Sequence, residues 1–286
     1  MPQTPNHLPD TASAKTTMGL ETYGKVRVVT LERFKQASDG RLKHAFCTRL
    51  GGVSQGPFRS LNFDAQGGDS RENVSQNKRI LAEALELDPE RIFLANQVHG
   101  DQVLILEEDP LNAGSKYHHL DYDAILTRQR GVAIGVLTAD CLPILIYDPK
   151  EAVIGIVHAG WRGTCLNVVG TVIAKLQKVF NVDPQGLLVG LGPCIGNCCY
   201  EVDIKVVRSI KNSTARWKEF IKPVRANKYT FDLVGLNVHQ LLQAGVPQGN
   251  IVRVNACTAC NSKVFFSHRA SKGKTGRQLN LIQLLD

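Results

Sequence analysis

Two nearly unbroken apolar runs, LPILIY at 142–147 and AVIGIV at 152–157, flank Asp148-Pro149-Lys150-Glu151. A strand with one wet face alternates apolar and polar residues, and these runs leave no polar face. Each must be covered on both sides, which calls for layers rather than a one-sided sheet. Asp-Pro opens a type I turn. If the turn closes an antiparallel hairpin with Asp148 opposite Glu151, the same register sets Cys141 opposite His158 on one face, with Cα atoms about 5 Å apart. A one-residue slip would send the two side chains to opposite faces.

The remaining periodicities fill in an α/β chain. Val74, Ile80, Leu81, Ala84, Leu85 and Leu87 form a helical stripe over 71–87, with Pro89 beyond it. Strand-like runs follow at 92–95, 102–106, 124–127 and 132–137, with a polar loop at 112–119. After HAGWRGT the period changes to that of one amphipathic helix over 164–180. A strand at 187–191, a helix at 231–244 ended by Gly245 and Pro247, and a strand at 251–255 complete the reading. No fixed-period repeat or Pro/Ser-rich linker divides the chain. The expectation is a tail over 1–22 and one α/β domain over 23–286 with mixed sheets and outer helices.

Composition excludes several classes. No apolar run reaches the roughly 20 residues that a bilayer span needs. The first residues, MPQTPNHLPD, lack the apolar core of a secretory signal, so a soluble cytoplasmic protein is the expectation. A net charge of +8 raises the possibility of nucleic acid, but the 34 Lys and Arg are scattered, and a solvated surface is the plainer reading. Eight cysteines without a secretory signal point to reduced thiols.

Three short motifs carry the chemistry: QVHG at 97–100, TADC at 138–141 and HAGW at 158–161, each at the edge of an apolar run. His99, Cys141 and His158 brought together would either share a metal ion or pair a thiol with a base; His99 cannot be placed by local register. Elsewhere Cys257-x-x-Cys260 has knuckle spacing but no second CxxC to complete it, and Cys198-Cys199 are its candidate partners, with inert thiols the plainer reading. Asn62 suits a ligand contact or an Asx turn equally. Arg269, Lys272, Lys274 and Arg277 suit either a loop closing over substrate or a solvated one.

Taken together, QVHG, TADCLPI and HAGWRGT resemble the laccase-domain family, also called YfiH-like or multicopper polyphenol oxidase. TRLGGVSQGPFRSLNF from residue 48, GPCIGNCCYEV from 192 and CTAC…FFSHR…TGRQ from 257 match its other motifs in order. The resemblance runs from about residue 44 to 278 and implies a layered α/β/β/α fold related to that of a toxin deamidase. It implies zinc ligands at His99, Cys141 and His158 and an active-site arginine at Arg49. It further implies a purine nucleoside phosphorylase acting on adenosine, inosine and S-methyl-5′-thioadenosine with inorganic phosphate, and deaminating adenosine. Copper is the less suited metal, because eight histidines are few for several copper centres.

Three His and Cys ligands leave zinc an open position, where water loses its proton near neutral pH, suiting attack on C6 of adenine. Arg49 offers a planar fork for phosphate, and Gly51-Gly52 beside it would let backbone amides approach the anion. Three other readings stay open: a cysteine hydrolase with Cys141 as nucleophile and His158 as base, a copper-dependent polyphenol oxidase, and a basic nucleic-acid-binding protein.

Overall fold

In the computed structural model, which describes residues 19–113, 116–117 and 120–286, two six-stranded mixed sheets pack face to face. The first runs β1 (Leu20–Tyr23), β2 (Val26–Val29), β3 (Leu42–Cys47), β15 (Gln278–Leu284), β7 (Ala133–Thr138), β4 (Ile92–Leu94). The second runs β14 (Ile251–Arg253), β10 (Leu188–Leu191), β8 (Leu142–Asp148), β9 (Val153–Ala159), β6 (Ala124–Thr127), β5 (Val103–Leu106). A three-stranded sheet of β11 (Glu201–Asp203), β13 (Lys228–Phe231) and β12 (Ile221–Arg225) stands apart. The expected layered α/β/β/α fold is the one found, in a single domain.

The layers follow from which side chains each strand sends where. Phe46, Ile134, Val136 and Ile282 of the first sheet meet Ile125, Leu145, Tyr147, Ile154 and Ile156 of the second in the middle layer. The opposite parity on β8 and β9, including Ile144, Ile146, Val153 and Val157, packs under α4 (Val168–Phe180) and α6 (Leu233–Gln243). The far side of the first sheet is covered by α2 (Arg71–Ala84), through Leu81 and Ala82. Every residue of β8 and β9 is buried, as their unbroken apolar runs require.

Several expectations need correction. The β8–β9 hairpin closes with Asp148 opposite Val153, so Pro143 rather than Cys141 faces His158. The loop is four residues long, and Ala152 ends it with φ 49°. A two-residue slip preserves parity, so Cys141 and His158 still share the middle-layer face. The helix expected over 164–180 is two helices: α3 (Trp161–Cys165) ends before Asn167, whose left-handed backbone starts α4 and whose side chain accepts from the Gly170 amide at 3.2 Å. β1 begins at Leu20, before the Tyr23 start expected for order. The rest of the anticipated tail, residues 1–18, and parts of the 112–119 loop lie outside the described residues. Among the described residues no helix is long and apolar enough to cross a membrane.

One buried histidine gives the fold a pH dependence. His44 on β3 accepts the Leu31 amide at Nε2, 2.8 Å away. Burial, reinforced by the Lys35 charge, lowers its pKa from 6.5 to about 4. The unfolded chain therefore takes up this proton more readily, so the contribution is fully present above about pH 6.5 and is lost as pH falls toward 4. About 3 kcal/mol is expected to disappear across that window. Urea midpoints at pH 7 and pH 4.5 are expected to differ more in the parent than in His44→Gln, and equal differences would sink the assignment.

Candidate metal centre

At one end of the sandwich the two sheets contribute residues to a common cleft of about 550 Å³. QVHG leaves β4 of the first sheet, and its residues bond to both sheets. The Gln97 side chain donates to Leu137 O at 2.8 Å and accepts from Leu137 N at 2.7 Å, which extends the β4–β7 pairing by one side-chain rung. The next three residues wrap a carboxylate at the start of β6. Asp123, fully buried, accepts from the Val98, His99 and Gly100 amides at 3.2, 3.0 and 2.6 Å. His99 has φ 61°, a left-handed conformation this wrapping requires.

The same carboxylate holds His158. Asp123 Oδ1 lies 2.7 Å from His158 Nδ1, and the Asp123 carbonyl accepts from the His158 amide at 2.7 Å. A carboxylate can only accept, so Nδ1 carries the proton donated to it and Nε2 is left to face the cleft. Cys141 Sγ lies 3.8 Å from His99 Nε2, and the His99 and His158 rings stand edge to face with centroids 4.7 Å apart. One ligand atom from each of His99, Cys141 and His158 falls within 4.8 Å of the others. The three residues of the sequence motifs thus converge.

The backbone around Cys141 is under constraint. Asp140 adopts φ 96°, and its carboxylate accepts from Thr258 Oγ1 at 2.6 Å and the Arg269 amide at 2.7 Å, while its carbonyl accepts from Ile195 N at 2.9 Å. Gly160 has no room for a side chain: a Cβ there would sit 2.8 Å from the His99 ring and 3.2 Å from Cys141 Sγ. Gly163 likewise lets α3 approach the Gly100 carbonyl, which a Cβ would meet at 2.7 Å. The glycines of HAGWRGT are therefore clearance for the ligand loops.

The electrostatics prepare the sulfur. Burial raises the Cys141 thiol, but the His158 charge and hydrogen bonds from both imidazoles outweigh it and bring it down to about 6. Burial lowers His158, while the Cys141 thiolate and Asp123 outweigh that and lift it to about 9. Metal ligation needs a thiolate, and a cation entering here displaces a proton from His158. Two imidazoles and one thiolate, with the buried imidazole fixed by a carboxylate, suit a divalent ion of zinc type that keeps one position open.

The other expected site residues lie elsewhere. Arg49 is outside the cleft lining: its Nε donates to Arg59 O and its Nη1 to Ser262 O, both at 2.7 Å, and its guanidinium stacks on Phe266 at 4.6 Å. Gly51 and Gly52 permit close chain packing, since a Cβ would come within 2.3 Å of Lys25 O or Ser60 O. Asn62 is fully buried and completes the Asx-type contact, accepting from Asp64 N at 3.0 Å and Arg277 N at 2.8 Å. Arg269 donates to Glu201 O at 2.8 Å and covers Tyr200.

Arg277 does line the cleft, with Nε donating to Asp64 at 2.8 Å. Asp123, Asp140, Gln97 and Gly160 were not singled out in advance. The available signal was an acidic residue immediately before an apolar strand, in DYDAIL and TADCLPI.

These features define a four-layer α/β protein with a His₂Cys cluster, able to hold a metal ion, at a sheet-to-sheet cleft. The family model described as multi-copper polyphenol oxidoreductase laccase matches residues 43–285, and the chain belongs to this laccase-domain family. It is 37% identical over 243 residues to the purine nucleoside phosphorylase YlmD of Geobacillus stearothermophilus, covering 82% of this chain and 87% of the relative. It is 34% identical over 239 residues to the purine nucleoside phosphorylase YfiH of Escherichia coli, covering 83% and 92%. The crystal structure of YlmD from Geobacillus stearothermophilus superposes with TM-score 0.84 at 33% identity, over 93% of this chain and 98% of that one.

Proposed function

We propose that this protein is a zinc-dependent purine nucleoside phosphorylase that cleaves adenosine, inosine and S-methyl-5′-thioadenosine with phosphate and also deaminates adenosine. The observation that carries the reading is the meeting of His99, Cys141 and His158 around Asp123 at the cleft wall. The names of the relatives supply the substrate class. Zinc, when bound, supplies a Lewis acid with an open coordination position.

The protein's own residues do the rest. Asp123 holds the His158 proton at Nδ1 and fixes the QVHG loop, so both imidazoles keep their orientation through the reaction. In phosphorolysis a phosphate oxygen bonds to C1′ of the ribose while the C1′–N9 bond breaks, and the purine leaves with the electron pair. We assign the anion to Arg277, whose Nε is held by Asp64; the Asp64 carboxylate is itself fixed by the Gln66 and Gly67 amides at 2.9 and 3.0 Å. Leu94, Leu137 and Phe63 give the cleft an apolar wall suited to a purine. Arg49 then acts at a distance, holding the turn that it opens against the segment around Ser262.

A second reading rests on the same Cys141–His158 contact: a thiolate nucleophile with His158 as its base. Product analysis and chelation separate the two. Adenosine with phosphate is expected to yield adenine and ribose 1-phosphate as well as inosine; without phosphate, inosine alone. Chelation is expected to remove the activity and zinc to restore it. Full activity after metal removal would favour the thiol, and free ribose with no ribose 1-phosphate in the presence of phosphate would rule out phosphorolysis.

A further inference from the structure

Four cysteines outside the cleft also meet. Cys198 and Cys199 lie in the turn after β10, and Cys257 and Cys260 lie in the CTAC turn after β14. Cys260 Sγ is 3.4 Å from Cys199 Sγ and 3.6 Å from Cys198 Sγ, and all four sulfurs fall within 4.8 Å of one another. Four thiolates on a tetrahedral zinc, with Zn–S bonds of about 2.3 Å, stand about 3.8 Å apart. The 3.4 and 3.6 Å spacings fall just short of that value and far exceed the roughly 2.05 Å of a disulfide.

The frame around the sulfurs is already built. Cys194 and Cys257 form a parallel β-bridge, and the Thr258 amide donates to Cys194 O at 2.9 Å. The Gly196 amide donates to Cys257 Sγ at 3.2 Å, a contact that favours thiolate over thiol. The Arg269 guanidinium, bonded to the carbonyls of Cys199 and Glu201, brings a cation beside what four thiolates and one divalent ion would leave as a net negative centre.

We propose that Cys198, Cys199, Cys257 and Cys260 bind a second, structural zinc ion, distinct from the cleft. Four protein ligands leave no open position, so its part is to cross-link two turns that are distant in the chain. Those turns also grip Asp140: Ile195 N bonds its carbonyl and Thr258 Oγ1 its carboxylate, and Cys141 follows directly. The second ion therefore positions Cys141 from behind.

The test is zinc content per chain in protein produced with zinc supplied. Cys257→Ser/Cys260→Ser is expected to hold one equivalent fewer than the parent, while Cys141→Ser keeps the sulfur-rich ion. The inference thus stands or falls separately from the cleft assignment. Equal zinc in parent and double variant, with unchanged near-ultraviolet circular dichroism, overturns it. Should the double variant not fold, zinc X-ray absorption of the parent gives the answer: more than one sulfur per zinc at about 2.3 Å is expected. One sulfur per zinc, iron in place of zinc, or a native disulfide among the four overturns it.

Discussion

Asp123→Asn is expected to weaken zinc binding roughly 10- to 100-fold, with phosphorolysis falling in parallel when zinc is limiting. The carboxylate accepts four hydrogen bonds, three from the amides of Val98, His99 and Gly100 and one from His158 Nδ1. An amide side chain has one accepting oxygen and one donating nitrogen, so it cannot serve both groups. If its NH₂ faces His158, the imidazole must take the tautomer protonated at Nε2, and the atom meant for the metal is blocked. If it faces the loop, the Val98 and Gly100 amides lose the Oδ2 acceptor they share and the turn that carries His99 loosens. Competition against a chromophoric chelator measures the affinity directly. Parent affinity in a folded Asp123→Asn protein would show that His158 is oriented by something else.

Gly160→Ala is expected to cost about 100-fold or more in activity and to lower retained zinc, with little loss of folding stability. The backbone there, φ −77° and ψ 174°, is one that alanine adopts freely. The whole effect must therefore come from the added methyl. It would lie 2.8 Å from the His99 ring and 3.2 Å from Cys141 Sγ, inside van der Waals contact with two of the three ligands. The imidazole is on an exposed loop and yields first, swinging away from the shared position. Zinc content, activity and the thermal midpoint of the same preparation separate this from unfolding. Unchanged zinc and activity would mean that His99 need not occupy the place it has here.

The elements legible in advance were those whose pattern is local. β6 was expected at its observed bounds, and β8, β9, α2 and α6 to within a few residues, because burial on one or both faces writes a period of 2, an unbroken run, or a period of 3.6. β15 was missed although it sits at the centre of the first sheet. Its QLNLIQL contains three buried polar residues that read as surface. Gln278 accepts from Phe266 N at 2.8 Å, Asn280 donates to Thr138 Oγ1 at 3.1 Å, and Gln283 donates to Gly131 O at 2.8 Å. Each finds a partner that no local pattern could announce, Gln283 through its amide nitrogen alone. The hairpin register failed by two residues for a related reason: the loop length depends on Ala152 taking a left-handed turn, which its side chain does not advertise.

What the residues alone determined is the inventory and the alternation: which side chains can ligate a metal, and that Cys141 and His158 share a face for any even slip of the hairpin register. Both are properties of the local backbone, where side chains alternate whatever the rest of the chain does. Only the tertiary structure decided that His99 joins them, that Asp123 orients the pair of histidines, and that Cys198, Cys199, Cys257 and Cys260 close on one another. Those meetings depend on two sheets packing and on loops far apart in the chain being held by buried hydrogen bonds, and such long-range geometry is encoded in the whole fold rather than in any one segment of it.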